Sequence, residues 1–325
     1  MFADDNTALL SAHTLHELIV LANKEINNLL QYYFANKLTL HPHKTKAFIF
    51  KPPRTNLNLD TENGHSIIPL FLNLNNPNEH INSKIIRISL IPNPGESSAR
   101  LLGVLIDENL NYKDHFKYLH GKVTKAVFSL RIMRHLLDQR HLKLLYNAYL
   151  KSSIEYGSIL FTKVSKATMK PIIILQKKAI RIICNKGYRD HTAPLFKKEK
   201  IIPFENIIDY NICRFMYDYS TNNLPKEFVG TWQRNNEIHE HRVRNNNNFF
   251  IVNVNKNYLK DFPLFYFPKA WNTLPKNIKE QGSRNLFAKK LHTYIIDNKL
   301  WLTDRFFSFL NLTFNFTFYS IGDFY

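Results

Sequence analysis

Residues 116–137, "FKYLHGKVTKAVFSLRIMRHLL", decide how the rest of the sequence is interpreted. Apolar residues recur in this stretch at alternating steps of three and four, at Phe116, Leu119, Val123, Ala126, Leu130, Met133 and Leu137. That spacing places them on one face of an α-helix. We therefore predict a long amphipathic helix here and a mainly helical region after it.

The residues after this helix show the same periodicity in three further segments. Helical patterns cover roughly 139–151, 166–184 and 203–219, and Gly157, Gly187 and Pro225 punctuate the chain between and after these segments. A final helix is predicted to begin near Ser283, whereas the aromatic tail 301–325 fits no amphipathic template.

Upstream of residue 113, helical and extended patterns alternate. Residues 13–38 predict a helix whose start carries a capping box of Thr14 and Glu17, in which each side chain satisfies the other residue's backbone N–H. Residues 47–50, 85–92 and 100–107 predict strands. The predicted fold class is α+β, with the following regions: an α+β region at 1–112, a basic helical region at 113–225, a C-terminal region at 226–300 and the tail at 301–325.

The chain is strongly basic, with a formal net charge of +18 over 325 residues. Between Lys113 and Lys200 there are 20 Lys and Arg against 5 Asp and Glu, an excess of 15 out of the 18. Such an excess favours a polyanionic partner, with nucleic acid first, although a solvated basic face is the alternative. The candidate nucleic-acid-binding residues are Lys117, Lys122, Lys125, Arg131, Arg134, Lys177, Lys178 and Arg181.

Targeting and redox signals point to an intracellular protein, in the nucleus or the cytoplasm. No secretory signal is recognisable, and no uncharged apolar stretch of about 18 residues precedes the tail, so we expect no membrane partner. Cys184 and Cys213 lie in apolar sequence, which favours buried reduced thiols and no disulfide-linked partner.

Two adjacent carboxylates, Asp4 and Asp5, stand near the first residue of the chain in "MFADDNTALL". Paired aspartates on a tight turn can hold Mg²⁺, which prefers carboxylate oxygens, although a lone acidic pair is more often a solvated turn. A two-metal polymerase site needs a further carboxylate from another strand.

The sequence resembles the reverse transcriptases of non-LTR (LINE-type) retrotransposons in four motifs that keep the family's order. "FADD" at 2–5 is similar to the Tyr/Phe-Ala-Asp-Asp signature, and the other three motifs also match. They are "NKLTLHPHKTKAFIF" at 36–50, "RLLGVLIDENLNYKDHF" at 100–116, and the pair "LQKKAIRIICN" at 175–185 and "AWNTLPKNI" at 270–278. The resemblance runs from Phe2 to about Leu300 and leaves the tail outside.

This resemblance implies RNA-directed DNA synthesis from deoxynucleotides, with Asp4 and Asp5 as Mg²⁺ ligands and residues 1–112 as part of the polymerase palm. It implies that Lys44 and Lys46 lie near the incoming nucleotide, for which a solvated strand edge is the alternative. Residues Leu102, Gly103 and Val104 match the hairpin that supports the primer, or else form a plain turn. The basic helices would be a thumb that contacts the RNA template and the RNA/DNA duplex through phosphates.

The match is partial, because the family places its fingers, its early palm and the first metal-binding aspartate before the signature. Only three residues precede Asp4 here, so we expect a fragment that is inactive by itself. The alternatives are a non-catalytic nucleic-acid-binding remnant and a pseudogene product without function.

The histidines at 41, 43, 115, 120, 239 and 241 lack the spacing of a zinc module. Trp271 is expected to anchor the last helix.

Overall fold

The computed structural model describes residues 7–38, 46–50, 60–62, 65–67, 71–73, 85–87, 89–91, 98–238, 247–255 and 257–298. The chain has a mixed α+β fold that is mostly helical, as the sequence predicts at this level. It divides into two compact units, Met1–Tyr118 and Leu119–Tyr325, and the boundary falls inside one long helix. The assignment of these units to a palm and a thumb stays a prediction.

Helix α1, Leu15–Ala35, belongs to the first unit, and its predicted capping box is confirmed. The Thr14 Oγ1 accepts the Glu17 N–H at 3.2 Å, and the Glu17 Oε2 accepts the Thr14 N–H at 3.3 Å. Leu30 and Tyr33, one turn apart, are buried. The local sequence therefore fixes where this helix starts, because both halves of the cap are three residues apart.

Short strands pair two by two in the rest of this unit. They are β1 Lys46–Phe48, β2 Asp60–Glu62, β3 His65–Ile67, β4 Phe71–Asn73, β5 Ile85–Arg87, β6 Ser89–Ile91, β7 Ser98–Leu101 and β8 Val104–Asp107. The pair β1–β6 is parallel, with Lys46 opposite Ser89, and the pairs β2–β3, β4–β5 and β7–β8 are antiparallel. Proline and glycine at 92–95, "PNPG", predict a turn before the segment 100–107, and these residues lie outside the described residues.

The segment 100–107 is part of a hairpin rather than one strand, which corrects the simple strand prediction. Leu102 and Gly103 have φ values of 45° and 84°, so two residues in the left-handed region reverse the chain between β7 and β8. Such a turn matches the twist of the flanking strands, and Gly103 adopts it without strain.

Helix α2, Lys113–Met133, confirms the helix predicted from residues 116–137. The seam from Phe116 to Leu130 is buried at every predicted position. Met133 and Leu137 depart from the pattern, because α2 ends at Met133 and leaves both side chains outside the buried seam.

The helices and helical turns that the structure describes in the rest of the second unit follow in chain order. They are α3 Gln139–Leu145, a π-helical turn Tyr146–Lys151, α4 Ser152–Glu155, a 3₁₀ turn Ser158–Lys163, α5 Lys166–Ile183, α6 Ala193–Glu199, α7 Phe204–Ser220, a 3₁₀ turn Lys226–Phe228, α8 Asn235–Ile238, a 3₁₀ turn Asn257–Asp261, α9 Pro263–Asn272, α10 Lys276–Lys279 and α11 Arg284–Asn298. The predicted segments 139–151, 166–184 and 203–219 and the final helix are confirmed. Helix α9 and the short helices α4, α6, α8 and α10 were not predicted.

Helix α7 forms the centre of this unit, with α9 and α11 packed on it. Pro203, the residue before it, provides no side-chain cap. The buried Gln176 of α5 does so instead, because its Oε1 accepts the Phe204 N–H at 2.7 Å. The Gln176 Nε2 donates to the Ile202 carbonyl at 3.0 Å and to the Tyr146 hydroxyl at 2.9 Å. One side chain thus joins three segments in the core.

The "AWNTLPKNI" segment has a structural role in the C-terminal region. Trp271 is buried and its ring lies 5.8 Å from that of Phe287 in α11, which confirms it as an anchor for the last helix. Asn272 holds the backbone of Phe249, donating to its carbonyl at 2.7 Å and accepting its N–H at 3.0 Å. Lys279 donates to Asn248 Oδ1 at 3.1 Å, and burial lowers the pKa of this amine to about 8.

Candidate nucleic-acid interface

Helix α2 has an exposed cationic face on the side opposite its buried apolar seam. Five candidate side chains on it or directly after it are exposed. Lys117 belongs to the first unit. The other four belong to the second unit, and we call them the basic row: Lys122, Lys125, Arg131 and Arg134. From Lys122 to Arg134 every third residue is basic, except that Phe128 occupies the position between Lys125 and Arg131. Residues three apart are neighbours on a helix, about 4.5 Å along its axis, so Lys122 lies next to Lys125, and Phe128 separates Lys125 from Arg131.

The basic row is accessible to an external anion. Within the part of the chain that the structure describes, no ion pair or hydrogen bond engages the side chains of Lys117, Lys122, Lys125 or Arg131. Phe128 stands in the same face and is 62 % exposed. Cationic side chains without an internal partner are available to neutralise the phosphates of a nucleic acid.

The three candidate residues of α5 are less accessible than the sequence suggests. Lys177, Lys178 and Arg181 are half-buried rather than exposed. The Arg181 Nε donates to the Asp190 carbonyl at 2.9 Å and so holds the following loop. Burial raises the pKa of the Glu205 carboxyl, and the Lys177 ammonium lowers it, which places Lys177 beside a carboxylate. We expect these three residues to contribute less to phosphate binding than the basic row.

A second basic feature, which the sequence analysis did not single out, is the loop after α5. Lys186, Tyr188 and Arg189 are exposed at its tip. The Arg134 Nη2 donates to the Asn185 Oδ1 at 2.9 Å, so this loop lies against the end of the basic row. The only sequence signal is an aromatic residue between basic residues in "NKGYRD", and that signal does not show which helix end lies beside it.

The three hairpin residues that match the primer-supporting motif differ in their exposure to solvent. Leu102 is at the tip and 50 % exposed, and Gly103 gives the turn its positive φ. Val104 is 5 % exposed, so its side chain packs inward. A partner could therefore contact the Leu102 side chain and the backbone of the turn, but not the side chain of Val104.

The remaining predicted site residues are only partly described. Asp4, Asp5 and Lys44 lie outside the described residues, and Lys46 begins β1. The histidines at 41, 43, 239 and 241 also lie outside them. Within the described ranges, no group of three His, Cys, Asp or Glu side chains is arranged to hold a metal ion.

His115 has a structural position in the first unit. It is buried, and its Nδ1 accepts the Leu105 N–H at 3.3 Å, so the neutral ring carries its proton on Nε2. Burial, with a smaller effect of the Arg100 guanidinium, lowers the pKa of His115. The neutral acceptor joins the start of α2 to β8.

A cleft of about 440 Å³ in the second unit is a separate concavity, and its charges are compensated from within. The Arg284 Nε lies 2.8 and 3.0 Å from the two carboxylate oxygens of Asp218. Glu155 lies near Arg214 and lines the same cleft. This balance distinguishes the cleft from the uncompensated basic row.

The cysteines and the helices add two observations. Cys213 is buried and Cys184 is half-buried, and both thiols are free. Among the helices that the structure describes, none is long and apolar enough to cross a membrane.

Comparison of the chain with protein-family models, with curated proteins and with solved structures finds no match.

Proposed function

We propose that this chain binds RNA/DNA duplex through the basic row of α2, as the thumb-containing part of a reverse transcriptase of the non-LTR type. The observation that carries the proposal is the exposure of the basic row opposite a buried apolar seam. A rigid helix with cations on its outer face is suited to lie along a phosphate backbone. The basic residues of α5 and the following loop lie in the same unit and extend the positive surface.

Binding of this kind is electrostatic and independent of sequence. Lysine and arginine that neutralise phosphates release condensed counterions, and this release supplies the free energy. Phosphate contacts position a protein on a duplex without distinguishing its bases. The proposal therefore requires affinity that depends strongly on salt and weakly on sequence.

The polymerase part of the proposal rests on the sequence resemblance. Asp4 and Asp5 would hold Mg²⁺, since paired carboxylates supply the hard oxygen ligands that this ion prefers. Ions held there would supply charge stabilisation for the attacking primer hydroxyl and the departing pyrophosphate, and this chemistry would also require a further carboxylate from another strand. Lys44 and Lys46 would neutralise charge on the incoming nucleotide, and the Leu102–Gly103 turn would approach the primer backbone closely.

The test is a salt titration of the purified 325-residue chain with an RNA/DNA hybrid, followed by fluorescence anisotropy. If about five cations contact phosphates, log affinity should fall against log salt with a slope of roughly −4 to −5. Replacing Lys122, Lys125 and Arg131 together by Gln should reduce the magnitude of that slope by about 2 to 3. Replacing Lys177, Lys178 and Arg181 should reduce it less, because those side chains are half-buried.

A matched control separates the basic row from overall charge. Lys226, Lys276 and Lys289 are exposed and lie outside residues 113–200, so replacing them by Gln removes the same charge elsewhere. This variant should keep the slope within about one unit of the original, since no phosphate contact is lost. Equal losses in both triple variants, or no salt-dependent binding by a folded sample, would reject the proposed interface.

A further inference from the structure

The loop that follows α5 is held in one conformation by its own backbone. Asn185 adopts a left-handed φ of 51°, and the Lys186 N–H donates to the Arg181 carbonyl at 2.8 Å. This bond closes the end of α5 in the manner of a Schellman motif. The chain beyond it therefore leaves the helix in a fixed direction.

A second set of contacts closes the loop from its other side. The Gly187 N–H donates to the Asp190 Oδ2 at 2.8 Å, and the Asp190 N–H donates to the Gly187 carbonyl at 3.2 Å. Arg181 also holds the Asp190 carbonyl. Residue 188 is thus the tip of a tight turn whose two ends are both fixed.

Tyr188 occupies that tip and is 79 % exposed. Its ring is the most exposed aromatic side chain among the residues whose burial is described. An aromatic ring that is left in water on an ordered turn contributes little to folding. A ligand for it should therefore present a flat, polarisable face.

The charges around the ring identify the class of that ligand. Lys186 and Arg189 flank Tyr188 in the chain and are exposed, and Arg134 reaches the loop through Asn185. Asp190 is the acidic residue of the loop, and its carboxylate accepts the Gly187 N–H. A ring among cations fits a nucleic-acid base with phosphates on either side, because bases stack on aromatic faces and the phosphates neutralise the cations.

The position of the loop indicates which part of a nucleic acid reaches it. In an intact duplex both faces of each internal base are covered by its neighbours, so a protein ring reaches only an end or an unpaired base. The contact between Arg134 and Asn185 places the loop at the end of the basic row. A duplex lying along the row would therefore present its end, or its single-stranded continuation, to Tyr188.

We propose that Tyr188 stacks on an unpaired base where an RNA/DNA duplex passes into single strand, with Lys186 and Arg189 on the adjacent phosphates. This inference rests on the proposed duplex binding and adds a preference for a hybrid with an overhang. It assigns the loop to the junction and the basic row to the paired region.

The experiment compares a blunt RNA/DNA hybrid with the same hybrid carrying a single-stranded overhang, by fluorescence anisotropy. Tyr188→Ala should weaken binding of the overhang hybrid by roughly 5- to 140-fold, the range expected for one stacked base. Tyr188→Phe keeps the ring and should stay within about twofold of the original protein, as should Tyr188→Ala on the blunt hybrid. A 2-aminopurine in the overhang should be quenched by the original protein and not by Tyr188→Ala.

Tyr149→Ala is the matched control, because Tyr149 is an aromatic residue that is 61 % exposed in the same unit. It should leave the affinity for both hybrids unchanged, and thermal unfolding should show that all variants remain folded. Salt-dependent binding with no overhang preference, or a preference that Tyr188→Ala retains, overturns the stacking inference and leaves the proposed function standing. Loss of salt-dependent binding to both hybrids overturns both.

Discussion

Gln176 should be among the most sensitive polar positions in the second unit, because it satisfies three buried groups at once. Gln176→Leu removes the acceptor for the Phe204 N–H and the donors to the Ile202 carbonyl and the Tyr146 hydroxyl. All three residues are buried, and Pro203 offers α7 no side-chain cap in its place. The substitution conserves approximate size, so the lost hydrogen bonds dominate the effect.

The expected loss can be worked out from those three groups. Each buried donor or acceptor left without a partner costs about 1–3 kcal/mol, and the additional apolar surface of leucine offsets part of the total. We expect a net loss of about 2–4 kcal/mol in the free energy of unfolding. For a unit of this size, that corresponds to a decrease in Tm of about 5–15 °C.

The measurement is unfolding in urea and by heat, followed by circular dichroism. Tyr146→Phe removes only one of the three bonds and should cost about 1 kcal/mol. Gln233→Leu alters an exposed glutamine and should change stability by no more than about 0.5 kcal/mol. A loss below about 1 kcal/mol for Gln176→Leu, or one equal to that of Tyr146→Phe, would refute this account of how α7 is held.

Three further predictions concern the catalytic motif and pH. The purified 325-residue chain should not extend a primer on an RNA template, because the motif match supplies only Asp4 and Asp5 of the three carboxylates; incorporation that Asp4→Asn abolishes would contradict this. Mg²⁺ should bind weakly to the same pair, since two carboxylates leave most of an octahedral shell to water, and calorimetry that detects tight stoichiometric binding would be evidence against it. Because burial lowers the pKa of His115 below its ordinary 6.5, the unfolded chain binds the proton first as the pH falls. The free energy of unfolding should therefore decline as the pH drops through 6.5 towards the folded-state pKa. His115→Asn keeps an acceptor for the Leu105 N–H but cannot titrate in this range, so it should lack this decline when unfolding is measured from pH 8 to pH 5.

The sequence predicted those elements whose signals are local. The capping box of Thr14 and Glu17 and the seam of α2 depend on residues three or four apart, and both are confirmed. Such contacts form within one element wherever it lies in the molecule, so one sequence suffices to recognise them.

Helix α9 shows where local signals mislead. Pro268 lies inside this helix and has no backbone N–H to donate to the Leu264 carbonyl, so the sequence alone argues against a helix here. The Trp232 Nε1 donates to that carbonyl at 3.1 Å and supplies the missing partner. The partner of the Leu264 carbonyl is therefore a residue 32 positions earlier, and no local pattern contains that information.

The candidate interface divides in the same way. The excess of basic charge between Lys113 and Lys200 is a property of the sequence alone, and so is the amphipathic pattern that turns the basic row of α2 outward. Whether an individual cation is accessible was decided by packing between distant segments, which leaves Lys177, Lys178 and Arg181 half-buried. Likewise, the contact between Arg134 and Asn185, 51 residues apart, brings Tyr188 to the end of the basic row. Periodicity determines which face of a helix is apolar, whereas the neighbours that cover or extend the other face are known only once the chain has folded.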